Sequence, residues 1–150
     1  MKEKIETDSL FVETMASFLN VYRFLRKYSR QLQSEGLSGR EVSMLRYLLS
    51  AEPLTIGQCR DYLNINDSST SEMIAHLEQG GVVLRTRSQI DNRSVMVTLT
   101  PAGRKLAHSV TLGGIPLLRE KLKLLPPDRL QRIYDAMRDI SELLEIKDEG

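Results

Sequence analysis

From about Ser9 to Gln33, apolar residues recur at three- and four-residue steps: Leu10, Phe11, Met15, Phe18, Leu19, Tyr22, Leu25, Tyr28 and Leu32. That spacing puts them on one side of a long helix, and Gly36 ends it. Ser38-Gly39-Arg40-Glu41 has the form of a capping box, with Ser38 as the cap and Glu41 reaching back. The helix it opens turns Val42, Leu45, Leu48 and Leu49 inward and stops near Pro53. Thr55 caps a third, short helix from Ile56 to Leu63. Asn64-Ile65-Asn66-Asp67 makes a turn, and a fourth helix runs from about Ser68 to Gln79 until Gly80-Gly81 ends it. Its first residues, Ser68-Ser69-Thr70-Ser71, are all hydroxylic, and Ser69 with Glu72 has capping-box spacing.

The period then changes from helical to alternating. Val82 to Arg87 and Ser94 to Leu99 are β-branched and alternate, so they predict two strands. Between them, Ser-Gln-Ile-Asp-Asn-Arg is a hairpin tip with Asp-Asn turn chemistry. Thr100-Pro101 opens another helix, Thr as cap and Pro at the first position; it carries Leu106, Ala107 and Val110. Gly113-Gly114-Ile115-Pro116 should kink or interrupt it. Pro126-Pro127-Asp128 opens the last helix, in which Leu130, Ile133, Met137, Ile140 and Leu144 form a coiled-coil-like stripe.

Two short helices joined by a tight turn and followed by a hairpin make a winged helix-turn-helix. The predicted fold class is mostly α with a small β-wing. One domain, residues 1–150, contains a reading lobe at about 37–100. Long helices flank the lobe at about 8–34 and 101–146. Those helices hold more apolar surface than the lobe needs. Leu10, Phe11 and Met15 at one end, and Leu130, Ile133, Met137, Ile140 and Leu144 at the other, are the expected dimerisation residues. A twofold dimer buries such stripes and sets two reading helices on one face of DNA.

Charge sharpens this picture. The 150-residue chain carries a net charge of only +1, with 41% hydrophobic and 27% charged residues. It is not a bulk polycation. From Val82 to His108, however, five basic residues (Arg85, Arg87, Arg93, Arg104, Lys105) stand against one acid, Asp91. From Asp128 to Gly150, seven acids outnumber four basic residues. Positive charge therefore gathers at the ribbon. A helix with a hydroxyl-rich start can enter the major groove, and a basic ribbon tip can reach phosphates or a narrow minor groove.

At this point the residues resemble the MarR family of bacterial transcription regulators. The likeness covers nearly the whole chain in element order. It is sharpest at Leu54-Thr55, Ser71 through Leu77-Glu78, Gly81-Val82-Val83, Arg85, Asp91-Asn92-Arg93 and Leu99-Thr100-Pro101-Ala102-Gly103-Arg104. The resemblance implies an intertwined homodimer on a pseudo-palindromic operator, usually a repressor, often released by a small molecule or an oxidant. It also implies that Ser68, Ser69, Thr70, Ser71, Glu72 and His76 form the exposed face of the recognition helix. Arg93 is then the wing arginine of the minor groove, held by Asp91. On the winged fold, Arg85 and Arg87 are further candidate DNA contacts, the alternative being a solvated hairpin face. The chain departs from the family at Glu72, where a basic or amide residue is common. From Asn66 to Gly80 there is no Lys or Arg, although a glutamate can accept from cytosine N4.

Other signals have plainer readings. Cys59, the single cysteine, fits a small buried hydrophobe better than a redox sensor. Glu72 and His76 at i,i+4 fit surface placement better than a metal site. Arg23, Arg26, Lys27 and Arg30 fit a solvated helix face, and Phe18, Tyr22 and Leu25 fit core. No catalytic set, cofactor motif, signal core or membrane span is expected, so the chain reads as cytoplasmic and non-enzymatic. The competing function is a winged-helix module that binds protein instead of DNA; the near-neutral charge and the acidic fourth helix are its support.

Overall fold

The computed structural model describes residues 2–91 and 93–146. It contains seven helices and a three-stranded antiparallel sheet among them. The chain divides into two compact units, Met1–Pro116 and Leu117–Gly150.

In the first unit, α1 (Lys2–Ser34) ends at Gly36, whose φ of +75° suits a residue without a side chain. Ser38 caps α2 (Gly39–Ala51): its hydroxyl accepts from Glu41 N at 3.2 Å, and the Glu41 carboxylate accepts in return from Ser38 N at 2.7 Å. The expected capping box is therefore present. Thr55 and Gln58 form a second box at the start of α3 (Ile56–Leu63). α3 stops at Asn64, which takes the left-handed conformation at φ 52°. The fourth helix, α4 (Asp67–Gln79), starts one residue earlier than expected. Its cap is Asn66, whose side chain accepts from Ser69 N at 2.8 Å, and not Ser69.

The hairpin strands are β2 (Val83–Arg87) and β3 (Val95–Leu99), with Arg85 opposite Val97. A further strand, β1 (Leu54–Thr55), was not expected from the pattern. It pairs with the other edge of β3, Leu54 opposite Val97, giving the order β1-β3-β2. The wing is thus stitched to the helix-turn-helix through the two residues that precede α3. The core lies where α2, α3, α4 and this sheet meet: Met44, Leu45, Leu48, Leu54, Cys59, Leu63, Ile74, Leu77, Val83, Val97 and Leu99 are all buried, with Ala107 from the next helix. Tyr47 and Tyr62 stack against it with ring centroids 3.9 Å apart.

Thr100 and Pro101 open α5 (Pro101–Ser109) as expected. α5 stops with Val110 as its C-cap, and Gly114, Ile115 and Pro116 form the first turn of a separate helix, α6 (Gly114–Lys123). A smaller cluster of Tyr28, Leu32 and Val42 fastens α1 to the lobe. The Tyr28 hydroxyl donates to Thr111 O at 2.7 Å, and its ring lies so close to Gly113 and Gly114 that no side chain fits at either.

The second unit contains α7 (Pro127–Leu143). None of its residues is fully buried. Leu130, Met137 and Leu144 are exposed and Ile133 and Ile140 half-buried. In the first unit, Leu10 and Phe11 are each 65% exposed and Met15 is exposed too. Both expected dimerisation stripes are therefore uncovered in a single chain. No helix among the described residues is long and apolar enough to cross a membrane.

Candidate nucleic-acid interface

α4 shows two faces. Thr70, Ile74 and Leu77 recur at helical spacing and are buried. Thr70 is fully buried, and its hydroxyl donates to Asn66 O at 2.8 Å. This corrects its expected place among the DNA contacts: it belongs to the core stripe. Ser68, Ser71 and Glu72 are exposed, the His76 side chain is largely so, and Ser69 also reaches the surface.

Within that outward face, His76 is already engaged. Its Nδ1 lies 2.6 Å from Oε1 of the buried Glu41 carboxylate. Glu41 therefore caps α2 with one oxygen and holds α4 with the other. The start of α4 is tied down by charge as well. Arg60 of α3 reaches Asp67 at 3.0 Å and its own neighbour Asp61 at 2.8 Å. These carboxylates, Asp61 first, hold the Arg60 guanidinium above its ordinary pKa.

The other end of α4 is braced against the wing. Glu78 accepts from Arg85 Nε at 2.8 Å and from Arg85 N at 3.2 Å. The Arg85 side chain holds the Glu78 carboxyl below its usual range, and Glu78 raises Arg85 in return. Arg85, expected at the DNA, is thus a strut between α4 and β2. Arg104 has a similar role: it pairs with Glu52, whose other oxygen accepts from Leu99 N at 2.6 Å. The hold of Glu41 on His76, the roles of Glu52 and Glu78, and the Arg60–Asp67 pair are not legible in the sequence, because each partnership joins residues that no local period links.

At the wing tip, Ser88 N donates to Ser94 O at 2.8 Å. Asp91 closes the turn. Its Oδ1 accepts from Arg93 N at 3.1 Å and Ser94 N at 3.0 Å, and its Oδ2 from the Ser94 hydroxyl at 2.7 Å. The Ser94 hydroxyl and these backbone amides pull the Asp91 carboxyl down to about 2. Asp91 therefore shapes the backbone beneath Arg93 and does not grip its guanidinium, as the resemblance implies it would. Arg87 and Arg93 are exposed, and neither has an ion-pair partner among the described residues. Here the lobe presents uncommitted positive charge beside a polar helix.

The winged helix DNA-binding domain family matches residues 37–103, the lobe just described. The lobe is a winged helix DNA-binding domain, and the fold of the chain is that of MarR family regulators. The chain is 29% identical over 105 residues, 70% of its length, to the uncharacterised HTH-type transcriptional regulator YfiV of Bacillus subtilis, spanning 66% of that protein. It is 28% identical to the organic hydroperoxide resistance transcriptional regulator of the same organism, over 93% of this chain and 96% of the relative. Among solved structures it is similar to reduced AbfR bound to DNA (TM-score 0.57, 25% identity, 96% of this chain and 99% of that one). AbsC, a MarR family transcriptional regulator from Streptomyces coelicolor, superimposes with a TM-score of 0.62 at 21% identity, covering 89% of this chain and 93% of that one.

Cys59 of this winged-helix chain is fully buried in α3. Burial pushes its thiol up to about 11. A thiolate, the nucleophile that attacks peroxides, is thus disfavoured at the one cysteine the chain has.

Proposed function

We propose that this DNA-binding regulator acts as a homodimeric repressor on a pseudo-palindromic operator in the cytoplasm. Exposed α4 residues enter the major groove, and Arg93, with Arg87 behind it, meets the flanking minor groove or its phosphates. The observation that carries this reading is the division of the lobe's arginines. Arg60, Arg85 and Arg104 are paired internally and Arg46 donates to Ala107 O; Arg40 is exposed on α2, and Arg87 and Arg93 are left to the wing. The uncovered stripes on α1 and α7 support the dimer.

A small-molecule effector fits this chain better than an oxidant, because Cys59 is buried and its thiol weakly acidic. A cavity of about 210 Å³, lined in part by Tyr28, Gln31, Glu35, Leu106 and Ser109, lies between α1 and the end of α5. Occupancy there would bear on the joint between α1 and the lobe.

The test is DNA affinity across a salt series, using duplex from upstream of the chain's own gene. Arg93→Ala should weaken binding and flatten the plot of log K against log salt. The slope should change by about 0.9 for each phosphate that Arg93 neutralises, roughly 1.8 for a dimer. An unchanged affinity and slope would remove the wing from the mechanism. No shift at low salt, with a dimer confirmed by light scattering, would favour the protein-binding module.

A further inference from the structure

The carboxylates of the lobe's scaffold are almost all occupied. Glu41 faces His76, Glu52 faces Arg104, Asp67 faces Arg60 and Glu78 faces Arg85. Asp91 is used by the wing turn. Glu72 is different. Its partner is the hydroxyl of Ser68, one turn earlier, at 3.5 Å, the outer limit of a hydrogen bond. No cation pairs with it among the described residues. At 100° per residue it lies nearly opposite the buried stripe of Thr70, Ile74 and Leu77. It therefore stands near the middle of the face that α4 turns outward.

A lone carboxylate there has the wrong sign for phosphates and weakens a docked duplex unless it meets a donor. The major groove offers two amino donors, cytosine N4 and adenine N6. Adenine N6 sits beside the acceptor N7, which repels a carboxylate; cytosine presents its donor alone. The rest of the face discriminates little. Ser68 and Ser71 can donate or accept, His76 has its Nδ1 taken by Glu41 and one ring nitrogen left, and α4 has no Lys or Arg to read guanine.

We propose that Glu72 is a specificity-determining residue that accepts a hydrogen bond from N4 of one cytosine in each half-site. The proposal rests on the DNA-docking reading above. It gives the operator a fixed G·C pair opposite the middle of α4, read by an acceptor where a basic reader would select guanine.

The experiment is selection of duplexes from a randomised library by the full-length protein, by Glu72→Gln and by Glu72→Ala, followed by affinity measurements on the selected sites. Glu72 is exposed, and circular dichroism will show that both variants fold. The expected wild-type site holds cytosine at one position of each half-site, and thymine there lowers affinity about ten-fold. Glu72→Gln moves that position to adenine, because an amide pairs with N6 and N7. Glu72→Ala leaves it degenerate. A preference unchanged across the three proteins overturns the proposal. So does a uniform tightening on every sequence, which would make Glu72 only a repulsive charge. If no duplex is enriched or bound even at low salt, the DNA-docking reading itself fails, and Glu72 has no base to read.

Discussion

Gly103 sits where α5 passes the end of the first hairpin strand, and a methyl group there has nowhere to go. A Cβ at this position would lie 1.9 Å from the carbonyl oxygen of Val82, 2.8 Å from its carbon and 3.2 Å from Leu99 Cδ2. The obstacle is backbone, so no rotamer change relieves it. In Gly103→Ala, α5 must retreat by more than an ångström. Its first turn is pinned to the two residues that lead into that strand: Thr100 N donates to Val82 O at 3.1 Å, and the Thr100 hydroxyl donates to Gly81 O at 2.6 Å. Overpacking costs about 1–3 kcal/mol, and weakening two hydrogen bonds adds about 1 kcal/mol each. Better helix propensity returns about 1 kcal/mol. The net loss is about 2–4 kcal/mol, a large part of the roughly 5–15 kcal/mol that holds a domain folded. Urea denaturation at matched protein concentration measures it, with a fall in melting temperature of roughly 5–15 °C as the parallel readout. Gly39→Ala is the control: its Cβ meets only Pro116 at 3.7 Å, so stability should hold or rise slightly. Equal midpoints for Gly103→Ala and wild type would refute the packing argument.

Three further outcomes are expected. Glu41→Ala removes a helix cap and the anchor of His76 together; it should cost about 1–2 kcal/mol in urea melts and weaken specific DNA binding more than His76→Ala does, and equal effects would separate the two roles. Cys59 should react with iodoacetamide at neutral pH at least ~100-fold more slowly than a free thiol, since its pKa of about 11 leaves little thiolate; rapid labelling of the folded protein would contradict its burial. Asp91 has a lowered pKa, so the bonds it accepts in the wing turn persist above the ordinary carboxyl pKa and are lost only as pH falls through about 2. An NMR titration of its carboxyl should find that midpoint, and Ser94→Ala should raise it; a wild-type midpoint near the ordinary carboxyl value would show that the turn is not closed as described.

Much of this architecture can be read without coordinates, because it is written locally. Ser38, Thr55 and Thr100 announce three helix starts through residues three positions away, and the change from helical to alternating period at Val82 marks the wing. Thr70 was also within reach: with Ile74 and Leu77 it completes a core stripe, but four consecutive hydroxylic residues hid that spacing. β1 is two residues long, too short to show any period, and only its pairing with Val97 and Met96 defines it. The charge partners were harder to find. Glu41 meets His76 across 35 positions and Glu52 meets Leu99 across 47. Nothing in the neighbourhood of Arg85 distinguishes it from Arg87, yet the packing of α4 against β2 gives Glu78 to the first and leaves the second exposed.

The internal pairing of Arg60, Arg85 and Arg104 also bears on how quickly the protein finds its site. Fixed opposite charges a few ångströms apart cancel at a distance, so these three arginines add little to any field that steers the chain, whose net charge is only +1. Encounter with DNA then proceeds at close to the unsteered rate of about 10⁵–10⁶ M⁻¹s⁻¹ and responds weakly to ionic strength. On the docking proposed above, Arg87 and Arg93 act after contact, by delaying departure. In such a regulator, residence time on the operator, more than speed of arrival, sets how long a promoter stays occupied.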